Sequence, residues 1–122
     1  LLSRGLGDVY KRQVPHMKQY IANNRDQNQI NVQILLEIIG ELTDTNVISR
    51  TSEKEMRWLQ TEARAILKTG GAFCAEGLQK VRELNQICIR KNMSPGGAAD
   101  LLAATIFLCR METLMERLKS IT

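Results

Sequence analysis

Apolar side chains recur at three- and four-residue steps along almost the whole chain, which is the spacing of one face of an α-helix. The clearest stripe consists of Ile30, Ile34, Leu35, Ile38, Ile39 and Leu42. The sequence shows neither the alternation of apolar and polar residues nor the Asn-Gly turns that are typical of strands and hairpins. It therefore predicts an all-α fold of about five helices.

Polar or glycine-containing breaks separate the predicted helices. The predicted helices cover residues 15–22, 28–42, 52–69, 75–91 and 94–119. Gly70 and Gly71 end the third helix in the left-handed conformation that suits glycine. The last helix is apolar on almost every side between Asp100 and Cys109, as a helix buried all round would be. We therefore expect chain outside this sequence to supply part of the core.

Composition excludes several classes of protein. At 122 residues the chain has room for one domain. Aromatic residues make up 4% of it, which argues against a single-stranded nucleic-acid platform, because such platforms stack bases on aromatic rings. No apolar run reaches the length of roughly 18 residues that a membrane helix needs. The three cysteines are odd in number and lack metal-ligand spacing, so we expect free thiols and a cytoplasmic protein.

Residues 1–13 differ from the rest of the chain. They show no apolar periodicity, which predicts a frayed basic arm, and they carry half of the net charge of +4. The run from Asp8 to Gln13 resembles a translated transposon-end adapter of sequencing libraries, because GAT-GTG-TAT-AAG-AGA-CAG encodes these residues. We therefore predict that residues 1–13 are an adapter scar and not native. A native N-terminal arm is the alternative.

The first polar segment that could carry chemistry runs from Asp44 to Arg50. It holds a carboxylate, an amide and a guanidinium, on Asp44, Asn46 and Arg50. Arginine pairs with phosphate through two parallel hydrogen bonds, and aspartate can hold magnesium. These residues are therefore candidate nucleotide or metal contacts. The alternative is a turn in which Asp44 and Asn46 bond their own backbone.

The second polar segment begins the last predicted helix. Ser94 suits the N-cap and Pro95 the first helical position. Gly96 and Gly97 follow, although each glycine weakens a helix by about 0.5–1 kcal/mol relative to alanine. Their benefit is unobstructed backbone N–H groups that approach a phosphate closely, and Asp100 at the same end could ligate a cation. The alternative is tight helix packing that only glycine permits.

His16 is the only histidine of the chain. It lies just after the predicted scar, and the neighbouring sequence offers no acidic or serine partner. The sequence therefore predicts no catalytic role for His16.

Three segments together resemble the C-terminal half of the triphosphoribosyl-dephospho-coenzyme A synthases. The most specific is CIRKNMSPGGAADLLAATIFL at residues 88–108, followed by LLEIIGELTDTNVISR at 35–50. The intervening MRWLQTEARAILKTGG, at 56–71, fits the same family pattern of a Trp-Leu helix that ends in paired glycines. The resemblance covers residues 14–114. Family members make the prosthetic-group precursor for the carrier proteins of citrate lyase and malonate decarboxylase.

The resemblance implies an enzyme that joins the ribose of ATP to 3'-dephospho-CoA with loss of adenine, keeping the triphosphate. The partners would be these two substrates, with Mg²⁺ as the metal and no nucleic acid or membrane. Asp44 and Asp100 would hold magnesium or orient a ribose hydroxyl as the catalytic carboxylates. The residues that would contact the nucleotide are Asn46, Arg50, Ser94, Gly96 and Gly97.

One departure from the family limits what this chain could do alone. Members are over twice as long, and their N-terminal half carries T-P-K-P-G-L-V-D-like and N-T-H-K-G-like blocks that do not occur here. We therefore expect residues 14–122 to be the C-terminal half of a synthase domain that is inactive without the N-terminal half. The alternative function is a small all-α interaction module whose exposed apolar faces dock a partner.

Overall fold

The computed structural model describes residues 2–41, 53–94 and 96–121, which are almost entirely helical. Helix α1 (Leu2–Asp8) continues through a π-helical turn (Val9–Gln13) into α2 (Val14–Ala22), and α3 (Gln27–Glu41) follows. The remaining elements are α4 (Glu53–Lys68), a 3₁₀ turn (Gly71–Phe73), α5 (Ala75–Arg90) and α6 (Gly96–Ile121). The described ranges contain no strand, so the predicted all-α class of about five helical runs is confirmed.

Helix α3 lies at the centre of the structure. It contacts α2, α4, α6 and the 3₁₀ turn. Its core positions Ile30, Ile34 and Ile38 follow one another at single-turn spacing, and each is at most 1% exposed. Burial of one such side chain contributes roughly 1.5–3 kcal/mol, so this stripe provides much of the hydrophobic stabilisation.

The link from α4 to α5 depends on glycine. Gly70 and Gly71 have φ values of +114° and +65°, which confirms the predicted left-handed end of the helix. The Ala72 N–H donates to Oε1 of Gln33 on α3 at 2.8 Å, and a Cβ added at Gly71 would overlap that same oxygen. A Cβ added at Gly77 of α5 would overlap the Gly71 carbonyl oxygen. The turn therefore packs between α3 and α5 at contacts that exclude a side chain.

The expectation of a frayed arm over residues 1–13 is wrong for the described part of that segment. It is helical from Leu2, and Val9 and Gln13 are 1% and 3% exposed. Gln13 Nε2 also donates to Glu41 Oε2 at 2.9 Å, which ties the segment to α3. A segment encoded by an adapter can also form a helix. The helical structure therefore does not test the adapter origin of residues 1–13, which stays a prediction.

The described helices bury the first part of α6 on one side only. A single line of small and medium side chains, at Ala98, Leu101, Thr105 and Cys109, is buried. Phe107, on another face, is 61% exposed. Further large apolar side chains with at least 40% exposure are Met111, Leu114, Met115, Leu118 and Ile121. Only one side of α6 therefore packs on the described part of the chain.

Two of the three cysteines, Cys88 and Cys109, are buried, and Cys74 is half-buried. Cys74, Cys88 and Cys109 are free, as expected, and burial raises the pKa of the last two. Cys74 has a capping role, because its Sγ accepts from the Gly77 N–H at 3.3 Å at the start of α5. Among the described helices, none is long and apolar enough to pass through a bilayer.

Candidate functional site

The predicted glycine segment lies at the solvent-exposed start of α6. Before it, the Met93 N–H donates to the Cys88 carbonyl at 2.8 Å, and the Met93 side chain is 6% exposed. After it, Ala98 is fully buried in the core. The exposed residues Ser94 and Gly96 lie between these two anchors. The chain is therefore fixed on both sides of a polar segment that faces solvent.

Gly96 has no packing reason to be glycine among the described residues. A Cβ added there would find one atom within 4 Å, Ser94 Oγ at 3.9 Å, which is an ordinary contact. This differs from Gly71 and Gly77, where an added Cβ would overlap other atoms. Packing on the described residues therefore does not require glycine at position 96, and the free N–H groups of the first turn of a helix are the groups that bind anions.

The structure brings part of the predicted site together. Ser94, Gly96, Gly97 and Asp100 share the N-terminal end of α6, where Gly97 is half-buried and Asp100 is exposed. The remaining predicted members, Asp44, Asn46 and Arg50, lie outside the described residues, as does Pro95. Within the ranges that are described, no three His, Cys, Asp or Glu side chains form a group that could hold a metal ion. The first segment and the Mg²⁺ site stay predictions.

A buried carboxylate on α3 organises a second polar group that the sequence reasoning missed. Glu37 is 5% exposed, and both of its oxygens are used. His16 Nδ1 lies 2.6 Å from Oε1, and the Tyr20 hydroxyl donates to Oε2 at 2.6 Å. We call Glu37, His16 and Tyr20 the Glu37 cluster. The expectation that His16 has no acidic partner is therefore wrong.

Aromatic and cationic side chains surround this cluster. The Tyr20 ring meets the edge of Phe73 at a centroid distance of 4.9 Å, and the Arg25 guanidinium lies 4.7 Å from the Phe73 ring centre. Burial, aided by the hydrogen bond to Glu37, raises the pKa of Tyr20 to about 12. One turn further along α3, Glu41 also lies 3.7 Å from the Arg12 guanidinium. Polar side chains therefore line the end of α3 that leads into the predicted Asp44–Arg50 segment.

One sequence feature could have indicated the Glu37 cluster. Glu37 lies three residues after Ile34 and seven after Ile30, so helical spacing places it on the core-facing side of α3. A carboxylate at such a position is costly unless it is paired and hydrogen-bonded. The sequence could thus have predicted a buried partner for Glu37, although not that the partner is His16 on another helix.

Comparisons with known proteins agree with the resemblance noted in the sequence. The model of the CitG family, described as ATP:dephospho-CoA triphosphoribosyl transferase, matches residues 2–118. The chain is 37% identical over 111 residues to a protein of Azotobacter vinelandii, covering 91% of this chain and 38% of that protein. It is 39% identical over 108 residues to a protein of Pseudomonas fluorescens, covering 88% of this chain and 37% of the other.

A third relative, from Citrobacter koseri, is 36% identical over 103 residues, covering 84% of this chain and 34% of that protein. All three are named probable 2-(5''-triphosphoribosyl)-3'-dephosphocoenzyme-A synthase. The chain thus spans little more than a third of the length of these relatives. No solved structure matches it significantly.

Proposed function

Because the chain belongs to the CitG family of ATP:dephospho-CoA triphosphoribosyl transferases, we propose that it forms the triphosphate-binding part of such an enzyme. The complete enzyme would join the triphosphoribosyl group of ATP to 3'-dephospho-CoA and release adenine. The product would be the prosthetic-group precursor for citrate lyase or malonate decarboxylase, made in the cytoplasm. The rest of the enzyme would come from the part of the relatives that this chain does not match.

The observation that carries this proposal is the open glycine start of α6. The positive end of a helix binds phosphate through its free backbone N–H groups. At Gly96 no atom of the described residues lies closer than 3.9 Å to an added Cβ, so packing on these residues does not demand glycine there. An exposed glycine in the first turn costs helix stability, and the close approach of a phosphate compensates for that cost.

The other predicted residues complete the proposed substrate contacts. Ser94 would donate its hydroxyl to the same phosphate, and Asn46 and Arg50 would contact the nucleotide. Magnesium is held in many nucleotide sites by one or two carboxylates together with substrate phosphates. Asp100, with Asp44 as a second candidate, fits that pattern. When bound, Mg²⁺ would offset the negative charge of the triphosphate.

The proposed reaction sets further demands on the protein. The acceptor 2'-hydroxyl attacks the anomeric carbon, while the bond from that carbon to adenine breaks. Such a transfer needs a group that takes the hydroxyl proton and groups that fix the two substrates in line. The start of α6 would bind the triphosphate and thereby position the anomeric carbon.

A titration of the ¹⁵N-labelled chain with ATP and Mg²⁺ tests the proposed function. We expect the backbone amide shifts to change at residues 94–100 and 44–50, because these residues would hold the nucleotide. Gly96→Ala should weaken the affinity about tenfold, which corresponds to about 1.4 kcal/mol, by crowding the phosphate. Gly7→Ala is the matched control, since Gly7 is also helical and has nothing within 4 Å of an added Cβ. Unchanged amides at 94–100 would contradict the proposal.

The exposed apolar side chains of α6 favour a second candidate function. Leu114, Met115 and Leu118 are about half exposed, as expected of an interaction module that docks a partner protein. The same titration separates the two candidates. An interaction module without a catalytic role would leave residues 94–100 unaffected by ATP, and Gly96→Ala would change nothing.

A further inference from the structure

The Glu37 cluster has no role in the nucleotide contacts described above. We propose that His16 is a catalytic base that accepts the proton of a ribose hydroxyl, and that Glu37 is its positioning residue. This inference rests on the proposed function, because it assigns the proton acceptor for the attacking hydroxyl of the acceptor substrate.

The hydrogen bonds define which nitrogen of His16 is available. We assign the imidazole proton to Nδ1, because this nitrogen lies 2.6 Å from Glu37 Oε1 and an ionised carboxylate only accepts hydrogen bonds. The neutral ring then carries its lone pair on Nε2. Tyr20 holds the other carboxylate oxygen at 2.6 Å, which fixes the orientation of Glu37. This is the arrangement of a general base that is oriented by a third group.

Glu37 is buried and His16 is half exposed, as expected of a positioning residue and a general base. The Glu37 side chain is 7% exposed, whereas the His16 side chain is 47% exposed. Among the described residues, Nε2 of His16 has no hydrogen-bond partner. The carboxylate is thus shielded from water while the basic nitrogen is open to a ligand.

Stability alone does not account for the cluster. A buried carboxylate is costly even when it is hydrogen-bonded, and well-packed apolar side chains of similar volume often stabilise a fold at least as well. The neighbouring core positions of α3 are filled by Ile34 and Ile38, so an apolar residue at position 37 would suit the same helix face. Retaining a carboxylate there, with both oxygens engaged, indicates a chemical role.

The surroundings of His16 suit a ligand that carries phosphate. Arg25 lies over Phe73, the ring that packs against Tyr20 of the cluster. In addition, α3 leads from Glu37 directly into the predicted Asp44–Arg50 segment. The Arg25 guanidinium can pair with a phosphate of a coenzyme A derivative.

The proposed step balances without any further reactant. The acceptor hydroxyl oxygen forms a bond to the anomeric carbon of ATP, and its proton moves to Nε2 of His16. The carbon–nitrogen bond to adenine breaks, and its electron pair leaves with adenine, which takes up a proton from water. The imidazolium ion formed at His16 is stabilised by Glu37 and later returns its proton to solvent.

Chemical modification tests this inference, because His16 is the only histidine. Diethyl pyrocarbonate acylates an unprotonated imidazole nitrogen, so the reaction reports on Nε2 of one side chain. We expect 3'-dephospho-CoA to slow the acylation in proportion to the fraction of protein bound, as measured by amide shifts. Its 2'-deoxy analogue should bind but protect less. A merely structural histidine would show no dependence on the hydroxyl.

Two matched variants test the role of Glu37. Glu37→Gln should slow the acylation about tenfold in the absence of ligand, a change of about 1.4 kcal/mol in activation free energy, because the neutral amide no longer supports the developing charge. Glu41 lies one turn away and accepts a hydrogen bond from Gln13 instead. Glu41→Gln should therefore leave the acylation rate of His16 unchanged. Imidazole ¹⁵N spectra should also show the proton on Nδ1 of the unmodified chain.

Several results would overturn the inference while leaving the proposed function intact. One is bound 3'-dephospho-CoA that does not protect His16, although ATP shifts residues 94–100. Others are equal protection by the 2'-deoxy analogue, or a proton found on Nε2. If ATP leaves residues 94–100 unaffected, the proposed function itself fails and the role of His16 fails with it.

Discussion

At the scale of single residues, Glu37 is the most informative side chain in the structure. It is a carboxylate on the core side of α3, and it is held by a histidine and a tyrosine from α2. The hydrogen bonds to its two oxygens offset the cost of removing the charge from water. Loss of either partner should therefore affect both the stability of the fold and the chemistry of His16.

The hydrogen bond from Tyr20 should make stability depend on alkaline pH. The pKa of Tyr20 rises from 10.0 to about 12 in the folded chain, mainly through burial and then through Glu37. A phenol that holds its proton more tightly when folded stabilises the fold fully below its unfolded pKa, here pH 10. That contribution falls as the pH rises from 10 through about 12.

Tyr20→Phe tests this dependence. Near neutral pH it should lower the free energy of unfolding by about 1.5–3 kcal/mol, the range for a hydrogen bond to a charged group. The difference from the unmodified chain should shrink between pH 10 and pH 12, as measured by urea unfolding. Tyr10→Phe is the control, because its hydrogen bond to Glu112 is exposed to solvent, as Tyr10 is 53% exposed, and its loss should cost no more than about 0.5–1 kcal/mol. A cost of Tyr20→Phe that does not change with pH would contradict this account.

Single residues also show the limit of what the sequence could predict. The left-handed glycines follow from local chemistry, and the structure confirms Gly70 and Gly71 in that conformation. The partnership of His16 with Glu37 depends instead on how α2 crosses α3, which helical periodicity does not specify. A prediction made one helix at a time therefore left His16 without a partner.

At the scale of elements, the contact between the 3₁₀ turn and α5 depends on close approach. Gly77 lies in the first turn of α5, where a side chain would overlap the Gly71 carbonyl oxygen. Gly71 in turn lies against Gln33 of α3. Two glycines and one glutamine thus form the close contacts that link α5 to α3 through the 3₁₀ turn.

A pair of glycine variants tests this packing. Gly77→Ala should destabilise the chain by about 1–3 kcal/mol, because the new methyl group forces the backbone of the turn to move. Gly7→Ala should stabilise it by about 0.5–1 kcal/mol, since alanine is the better helix former and Gly7 has open space around it. Thermal unfolding of both variants measures the difference. Equal effects of the two substitutions would show that the contact with Gly71 does not constrain α5.

The boundaries of most elements follow from the sequence because their apolar spacing is regular. The predicted helix over residues 75–91 is observed as Ala75–Arg90, and the one over 94–119 as Gly96–Ile121. The arm at residues 1–13 was predicted wrongly because its described buried positions, Gly5, Val9 and Gln13, include a glycine and a glutamine. A search for apolar spacing does not detect a polar residue that is buried and hydrogen-bonded.

At the scale of the whole molecule, the described helices leave part of the apolar surface of α6 exposed. Leu101 and Thr105 face the core and are fully buried, whereas Phe107 and Leu118 are exposed at 61% and 49%. The chain also spans 34 to 38% of the length of the relatives it matches. The sequence correctly indicated more apolar surface than the described helices cover.

The relatives offer a way to test the account in a complete protein. The matching segment of the Azotobacter vinelandii relative, to which this chain is 37% identical, can be replaced by the corresponding residues of this chain. Asp100→Asn in that chimera should lower its activity about 100-fold, if this carboxylate supports charge in the transition state. Thermal unfolding of both proteins serves as the control for folding.

The release of adenine from ATP in the presence of 3'-dephospho-CoA is the most direct measurement. We expect the chimera to release adenine at a rate within about tenfold of the parent protein, a difference of no more than about 1.4 kcal/mol in activation free energy. We expect no release by the 122-residue chain alone. A chimera that unfolds cooperatively at the temperature of its parent but releases no adenine would contradict the account. Adenine release by the isolated chain at the rate of the parent would contradict its need for the rest of the enzyme.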